Sequence, residues 1–183
     1  AMEGREDEIN TCIGCNQACL DHVFNGKEVS CLVNPRACNE TTLNYVPVTQ
    51  IKNIAVVGAG PAGLAFAITA AERGHQVTLF EADGEIGGHF NLAKRIPGKE
   101  EFYETVRYYQ KQLELHKVEV KLNHRASIEE LSSKQWDEVV VATGIVPRIP
   151  AIDGIDHPKV VSYTDAILGN KAIGNKVAVV GAG

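Results

Sequence analysis

The sequence lacks both a long apolar run and an excess of positive charge, and these absences exclude two classes of partner. No stretch of the 183 residues approaches the ~20 consecutive apolar residues that a membrane-spanning helix needs. The net charge of −5 provides no general attraction to nucleic acid or to an anionic membrane surface. We therefore expect neither nucleic acid nor a membrane as a partner.

The features of a secretory signal are also missing. The first residues, AMEGREDEINTC, are acidic and contain neither a basic segment nor an apolar one. We therefore expect a cytoplasmic protein. Because thiols stay reduced in that compartment, five cysteines indicate metal or redox chemistry rather than disulfides.

Cysteine, in contrast, is concentrated in one short segment, residues 3–40. Four cysteines have the spacing C-x2-C-x3-C-x11-C, namely Cys12, Cys15, Cys19 and Cys31. Three closely spaced thiolates followed by a later fourth are typical of a 4Fe–4S cluster. A structural zinc site is the alternative, although such sites usually consist of two separated CxxC pairs. We interpret Cys31 as the fourth ligand, and Cys38 is the alternative to it.

The hexapeptide AVVGAG occurs twice, at Ala55–Gly60 and at Ala178–Gly183. The first copy continues into a complete GxGxxG motif formed by Gly58, Ala59, Gly60, Pro61, Ala62 and Gly63. Such a loop binds the pyrophosphate of a dinucleotide, because free N–H groups at the start of the following helix face it. The second copy ends at GxG. We therefore expect one whole nucleotide-binding unit and only the first strand of another, and interpret the chain as part of a larger protein.

The acidic residue Glu81 ends the next predicted strand and indicates which dinucleotide binds. A carboxylate there accepts hydrogen bonds from both ribose hydroxyls and disfavours a 2′-phosphate, so the site suits FAD or NAD rather than NADP. Two later features favour FAD. These are a second glycine turn with Gly87 and Gly88, and a strand that ends in the pattern ATGxxPR with Ala142, Thr143 and Gly144.

Alternating strand and helix patterns predict an α/β fold: a doubly wound, Rossmann-like FAD-binding domain preceded by a small cysteine-rich loop module. We predict a cluster-binding segment at 1–46, the FAD-binding domain at 47–150, and a connector with the first strand of a truncated NADP(H)-binding domain at 151–183. The predicted strands are Lys52–Val57, Gln76–Glu81, 118–123, Asp137–Ala142 (a buried strand) and Lys176–Val180. The predicted helices follow the glycine loop, span Glu100–His116 (an amphipathic helix, with apolar residues at helical spacing), and lie near Ser127–Leu131 (a turn or short helix) and Tyr163–Leu168.

Five blocks of sequence together resemble a known enzyme family. They are CIGCNQACLDHVFNGKEVSCLVNPRAC, VVGAGPAGLAFA, EIGGHFN, IPGKEEFYET and ATGIVPR. The chain resembles the old-yellow-enzyme-related flavin oxidoreductases, which include trimethylamine dehydrogenase, and within them the bacterial NADPH-dependent 2,4-dienoyl-CoA reductases. The resemblance implies an FMN-binding barrel that holds the acyl-CoA, a 4Fe–4S cluster, an FAD domain and an NADP(H) domain. It also implies that electrons pass from NADPH to FAD, singly through the cluster to FMN, and then to the substrate.

The same resemblance implies the site residues. It assigns the four cysteines above to the cluster, the loop Gly58–Gly63 to the FAD pyrophosphate and Glu81 to the ribose. It adds His89, where many relatives have Gln, together with Lys99 and the backbone of Ala126. The FMN barrel and most of the NADP(H) domain are the implied partners and are absent from this sequence, so we expect no catalytic residue and no activity of the chain alone. The alternatives are a zinc- or cluster-stabilised structural module without redox turnover, or the same relay in an amine dehydrogenase or another ene-reductase.

Overall fold

The computed structural model describes residues 2–181 of the chain, and these form a parallel α/β unit flanked by segments with little regular structure. The strands are Asn53–Val57 (β1), Gln76–Phe80 (β2), Glu119–Lys121 (β3) and Glu138–Val141 (β4). The helices are Leu20–Phe24 (α1), Pro61–Glu72 (α2), Phe90–Ala93 (α3), Glu101–Leu115 (α4), Ile128–Leu131 (α5) and Tyr163–Leu168 (α6), with a 3-10 turn at Glu6–Glu8. One compact unit ends at Gly144 and a second begins at Ile145.

The sheet is parallel, with the strand order β3-β2-β1-β4. Because parallel neighbours need a crossover connection, α2 follows β1 and α4 follows β2 before the chain returns to the sheet. This arrangement confirms the predicted α/β, Rossmann-like fold. Within residues 2–181, no helix combines the length and the apolar character needed to cross a membrane.

The core lies between one face of the sheet and the helices α2 and α4. Ile54 and Val56 of β1 and Val77 and Leu79 of β2 form the sheet side of one apolar cluster. The helix side includes Leu64, Ala67, Ile68 and Ala70 of α2 and Leu113 of α4. The predicted amphipathic face of α4 is confirmed, since Val106 and Tyr109 also pack against this cluster. The small side chains of α2 bring that helix close to β1 and β2.

Two predicted strands differ from the structure. The strand expected to be buried at Asp137–Ala142 is β4, which lies at an edge of the sheet and is largely exposed. Val140 alone of its valines packs against the core, whereas Val141 is 73% exposed. The strand predicted at Lys176–Val180 is wrong, because no strand pairs with those residues in the part of the chain that the structure describes. Ala182 and Gly183, which complete the second AVVGAG copy, lie outside the described residues.

A substitution at the contact between α2 and the preceding loop tests how closely the helix must approach β1. A Cβ added at Gly63 would overlap the carbonyl oxygen of Gly58, so Gly63→Ala forces the backbone apart. We expect this substitution to destabilise the protein by about 1–3 kcal/mol, which is typical of overpacking. The measurement is the free energy of unfolding in urea.

Gly60→Ala is the matched control for that measurement. Gly60 has the ordinary φ of −74°, and a Cβ there meets no heavy atom within 4 Å. Its stability should therefore remain close to that of the unsubstituted protein. Equal stability of the Gly63→Ala and Gly60→Ala variants would contradict the close helix–strand contact.

Candidate functional site

The first glycine loop connects β1 to α2 at the carboxyl end of the sheet. Gly58 has a φ of +103°, which favours glycine, and its N–H donates to the carbonyl oxygen of Phe80 at 2.8 Å. A Cβ at Gly58 would overlap the carbonyl oxygen of Ala142 and would lie 3.1 Å from the Cα of Thr143. The end of β4 therefore touches the loop directly at Ala142 and Thr143, and their role in binding a cofactor stays a prediction.

The start of α2 provides backbone donors, and among residues 2–181 no side chain caps them. Gly60 precedes the helix and Pro61 is its first residue. The N–H groups of Ala62 and Gly63 have no acceptor within the helix, because the first turn of a helix leaves its donors unpaired. A helix N-terminus carries partial positive charge and favours an anion. Since space beside Gly60 is open, this cradle fits a pyrophosphate.

Glu81 lies next to the loop and is held there by two hydrogen bonds. Its Oε2 accepts from the Ala59 N–H at 2.7 Å, and its Oε1 accepts from the Asp83 N–H at 3.0 Å. A carboxylate oxygen can accept two hydrogen bonds. Each oxygen therefore retains one acceptor position, which is the capacity that a ribose diol requires.

The second glycine turn packs against the first. The Gly87 N–H donates to the carbonyl oxygen of Ala59 at 2.8 Å. A Cβ at Gly88 would lie 3.0 Å from the Cα of Gly60. The structure thus brings the predicted residues Gly87 and Gly88 to the first loop, and a side chain at position 88 would crowd it.

The segment after β3 forms a further wall beside Glu81. The His124 N–H donates to the Glu81 carbonyl oxygen at 2.8 Å, and the Asn123 N–H donates to Asp83 at 2.9 Å. These bonds place the half-buried Ala126 two residues beyond a direct contact with Glu81. His124 Nε2 lies 2.8 Å from Glu130 Oε2, and this hydrogen bond lowers the pKa of Glu130. No motif points to His124 or Asn123, because contacts made by the backbone leave no pattern in the sequence.

Three predicted residues are not drawn into this group of contacts. His89 is exposed at the start of α3, and Gly144 is exposed with a φ of +73° at the end of the first unit. Lys99 is exposed in the turn before α4, and within residues 2–181 its side chain makes no hydrogen bond or ion pair. Their cofactor roles stay predictions.

The cysteine segment is folded so that three of its cysteines come from neighbouring stretches of backbone. The Ser30 N–H donates to the Ala18 carbonyl oxygen at 2.9 Å, which brings the chain before Cys31 beside the chain before Cys19. Asn10 Nδ2 donates to the Val33 carbonyl oxygen at 2.6 Å, which ties the chain near Cys12 to the same region.

The thiols in this segment are free, yet they do not form a ligand group. Cys12 and Cys38 are exposed, and Cys15, Cys19 and Cys31 are half-buried. Within residues 2–181, no three His, Cys, Asp or Glu side chains lie close enough together to hold a metal ion. The donor chemistry suits iron–sulfur or zinc, but the described residues do not bring the thiols together, so metal binding by this segment stays a prediction.

Basic residues of α4 hold the start of the cysteine segment. Arg107 Nη2 donates to the Ile9 carbonyl oxygen at 3.0 Å, and Lys111 Nζ forms an ion pair with Asp7 at 3.2 Å. Arg107 Nη1 also lies 3.4 Å from the carbonyl oxygen of Glu6. The segment that leads to Cys12 is therefore attached to the same helix that packs on the core of the sheet.

Comparison with known proteins agrees with the fold and the glycine loop. Residues 52–183 match the family model described as pyridine nucleotide-disulphide oxidoreductase. A metal reductase of Desulforamulus reducens is 40% identical over 187 aligned positions, which cover 100% of this chain and 28% of that protein. The chain thus spans little more than a quarter of the length of this relative.

Solved structures give the same result. A 2-naphthoyl-CoA reductase, solved with 2-naphthoyl-CoA, superposes with a TM-score of 0.89 at 39% identity and covers 95% of this chain and 27% of its own. The histamine dehydrogenase of Rhizobium sp. 4-9 superposes with a TM-score of 0.78 at 26% identity. The match covers 93% of this chain and 27% of the dehydrogenase chain. The relatives are oxidoreductases that act on different kinds of substrate.

The open space beside Gly60 leads to a prediction about ligand binding. Because a Cβ there meets no protein atom, Gly60→Ala should leave the fold intact but place a methyl group where a pyrophosphate approaches the backbone. We expect FAD affinity to fall by about tenfold or more, a loss of at least ~1.4 kcal/mol. The measurement is fluorescence titration of FAD.

Gly174→Ala is a control of the same chemistry. A Cβ at Gly174 also meets no atom within 4 Å, and this glycine lies in the unit that begins at Ile145. It should leave FAD affinity unchanged. Unaltered FAD binding by Gly60→Ala would place the ligand elsewhere.

Proposed function

The chain belongs to the pyridine nucleotide-disulphide oxidoreductase family, and we propose that it is the FAD-binding, electron-transferring portion of an NADPH-dependent flavin oxidoreductase. The observation that carries the proposal is the convergence of three backbone segments at the uncapped start of α2, with a fourth segment beside Glu81. They are the loop Gly58–Gly63, the turn at Gly87–Gly88, the end of β4 at Ala142, and the segment after β3.

Each segment has its own part in holding FAD. The N–H groups at the start of α2 bind the pyrophosphate, and Glu81 accepts hydrogen bonds from the ribose of the adenosine half. The second glycine turn, with His89, lies on the flavin side, and Lys99 and the backbone of Ala126 provide further contacts. When bound, FAD supplies hydride acceptance from a nicotinamide and release of electrons one at a time.

The proposal includes a division of the chain into three parts. Residues 1–46 form the metal-binding segment, 47–150 the FAD-binding domain, and 151–183 a connector that leads to an NADP(H)-binding domain. In the whole protein, FMN and the substrate bind to a barrel domain, and the substrate is a 2,4-dienoyl-CoA thioester. The similarity to a reductase that was solved with an aryl-CoA thioester supports this substrate class.

An amine dehydrogenase is the second candidate for the whole protein. The superposition on histamine dehydrogenase supports it. Both candidates use the same FAD site, so they predict the same behaviour for the residues described above. Reduction of a dienoyl-CoA by NADPH, assayed on the whole protein against oxidation of an amine, distinguishes them.

Glu81 provides a direct test of the ribose contact. Glu81→Gln keeps the size of the side chain but replaces one acceptor oxygen with a donor and removes the charge. Since a hydrogen bond to a charged group contributes about 1.5–3 kcal/mol, we expect FAD affinity to fall by about tenfold to a hundredfold. The measurement is the dissociation constant from isothermal titration.

Asp83→Asn is the control for that substitution. Asp83 meets Glu81 through its backbone N–H, so a change of its side chain leaves that hydrogen bond in place. The Asp83→Asn variant should bind FAD as the unsubstituted chain does. Equal FAD affinity of Glu81→Gln and the unsubstituted chain would remove Glu81 from the site.

We propose that Cys12, Cys15, Cys19 and Cys31 bind a 4Fe–4S cluster. Their spacing and their free thiols support this assignment. The alternatives are zinc in the same four thiols or replacement of Cys31 by Cys38.

Elemental analysis of anaerobically purified protein tests the metal and its ligands together. We expect about four iron and four sulfide per chain, a loss of iron in Cys31→Ser, and no loss in Cys38→Ser. One zinc per chain, in place of iron and sulfide, would indicate a structural zinc site and contradict the cluster. Loss of iron only in Cys38→Ser would reassign the fourth ligand.

A further inference from the structure

Lys94 is covered to an unusual degree for a lysine and lies directly below the second glycine turn. Its side chain is 11% exposed, whereas lysine side chains are seldom buried without partners. Lys94 Nζ donates to Asn91 Oδ1 at 2.7 Å and lies 3.5 Å from Glu85 Oε2. It also lies 5.2 Å from the centre of the Tyr103 ring, on α4. The charge is thus held by one amide, one carboxylate and one aromatic face.

Asn91 connects Lys94 to the second glycine turn. Its Nδ2 donates to the carbonyl oxygen of Ile86 at 2.9 Å, and Ile86 is buried. A Cβ at Gly87 would lie 2.8 Å from Asn91 Oδ1. The amide group therefore packs against the turn at two consecutive residues, and Lys94 keeps its oxygen and nitrogen in the orientation that this contact needs.

The opposite side of the turn touches the first glycine loop. The Gly87 N–H donates to Ala59, and Gly88 lies against Gly60. The turn is thus enclosed between Asn91 on one side and the pyrophosphate cradle on the other. A shift of the turn toward the loop would narrow the cradle, and a shift away would break the Gly87–Ala59 hydrogen bond.

We infer that Asn91 and Lys94 are positioning residues that set the distance between the two glycine turns and thereby the affinity for the dinucleotide. Neither side chain needs to touch the ligand. The identity of the ligand as FAD rests on the proposed function, whereas the position of the turn does not.

Two substitutions test the inference. Asn91→Ala removes both contacts of the amide, and Lys94→Met keeps the length of the side chain but removes its charge and its donors. We expect each to raise the FAD dissociation constant about threefold to tenfold, as the loss of one or two hydrogen bonds predicts. Because the two residues act through one contact, the double variant should lose less than the product of the single losses. Lys134→Met, an exposed lysine in the same unit, is the control and should bind FAD normally.

Amide hydrogen exchange measured by NMR gives a readout that does not depend on FAD. The Gly87 amide should exchange about threefold to tenfold faster in both variants, while the amides of β1 keep their protection. Faster exchange across β1 as well would mean general destabilisation and would overturn the positioning role.

Failure of the proposed function and failure of the inference about Asn91 and Lys94 give different results. If the unsubstituted chain binds no FAD, the proposed function fails, and the exchange rate at Gly87 still decides the inference. Unchanged exchange at Gly87 in both Asn91→Ala and Lys94→Met would overturn it, whatever the FAD affinity.

Discussion

The absence of side chains at Gly58 and Gly63 is the constraint on which the rest of the site depends. A Cβ at either position would overlap backbone atoms, of Ala142 in one case and of Gly58 in the other. These contacts bring the start of α2 against β1 and the end of β4 against the same loop. Protein interiors tolerate little overlap, so one added methyl group at these points moves whole elements.

Once that loop is in place, the remaining walls attach mainly through backbone hydrogen bonds. Ala59 is the centre of this arrangement, because its N–H donates to Glu81 and its carbonyl oxygen accepts from Gly87. Side chains support these walls from the side that faces away from the first loop. Asn91 contacts the second glycine turn there, and Lys94 holds Asn91. Backbone donors suit a pyrophosphate and the Glu81 carboxylate suits a ribose, two groups that dinucleotide cofactors share. This explains why relatives with different substrates keep the same unit.

The cysteine segment is built differently from the parallel sheet and its helices. It contributes one buried apolar residue, Ala18, and is held by turns, by Asn10 and by the contacts of Arg107 and Lys111 on α4. With so little apolar burial, a bound metal would supply stability that the segment does not obtain from packing. The four thiols come from one continuous stretch, so a metal bound by them would depend on how the side chains are arranged within this segment.

The sequence by itself determined the glycine loop, the strand and helix that flank it, Glu81 at the end of β2 and the amphipathic helix α4. These features depend on local requirements: a residue without Cβ at a tight turn, a carboxylate with two acceptor oxygens, and apolar residues at helical spacing. Only the tertiary structure decided that β4 is an exposed edge, that Lys176–Val180 forms no strand, and that Lys94 is covered. Edge position, strand pairing and burial are properties of neighbours, and a run of β-branched residues or a single lysine carries no record of what will lie beside it.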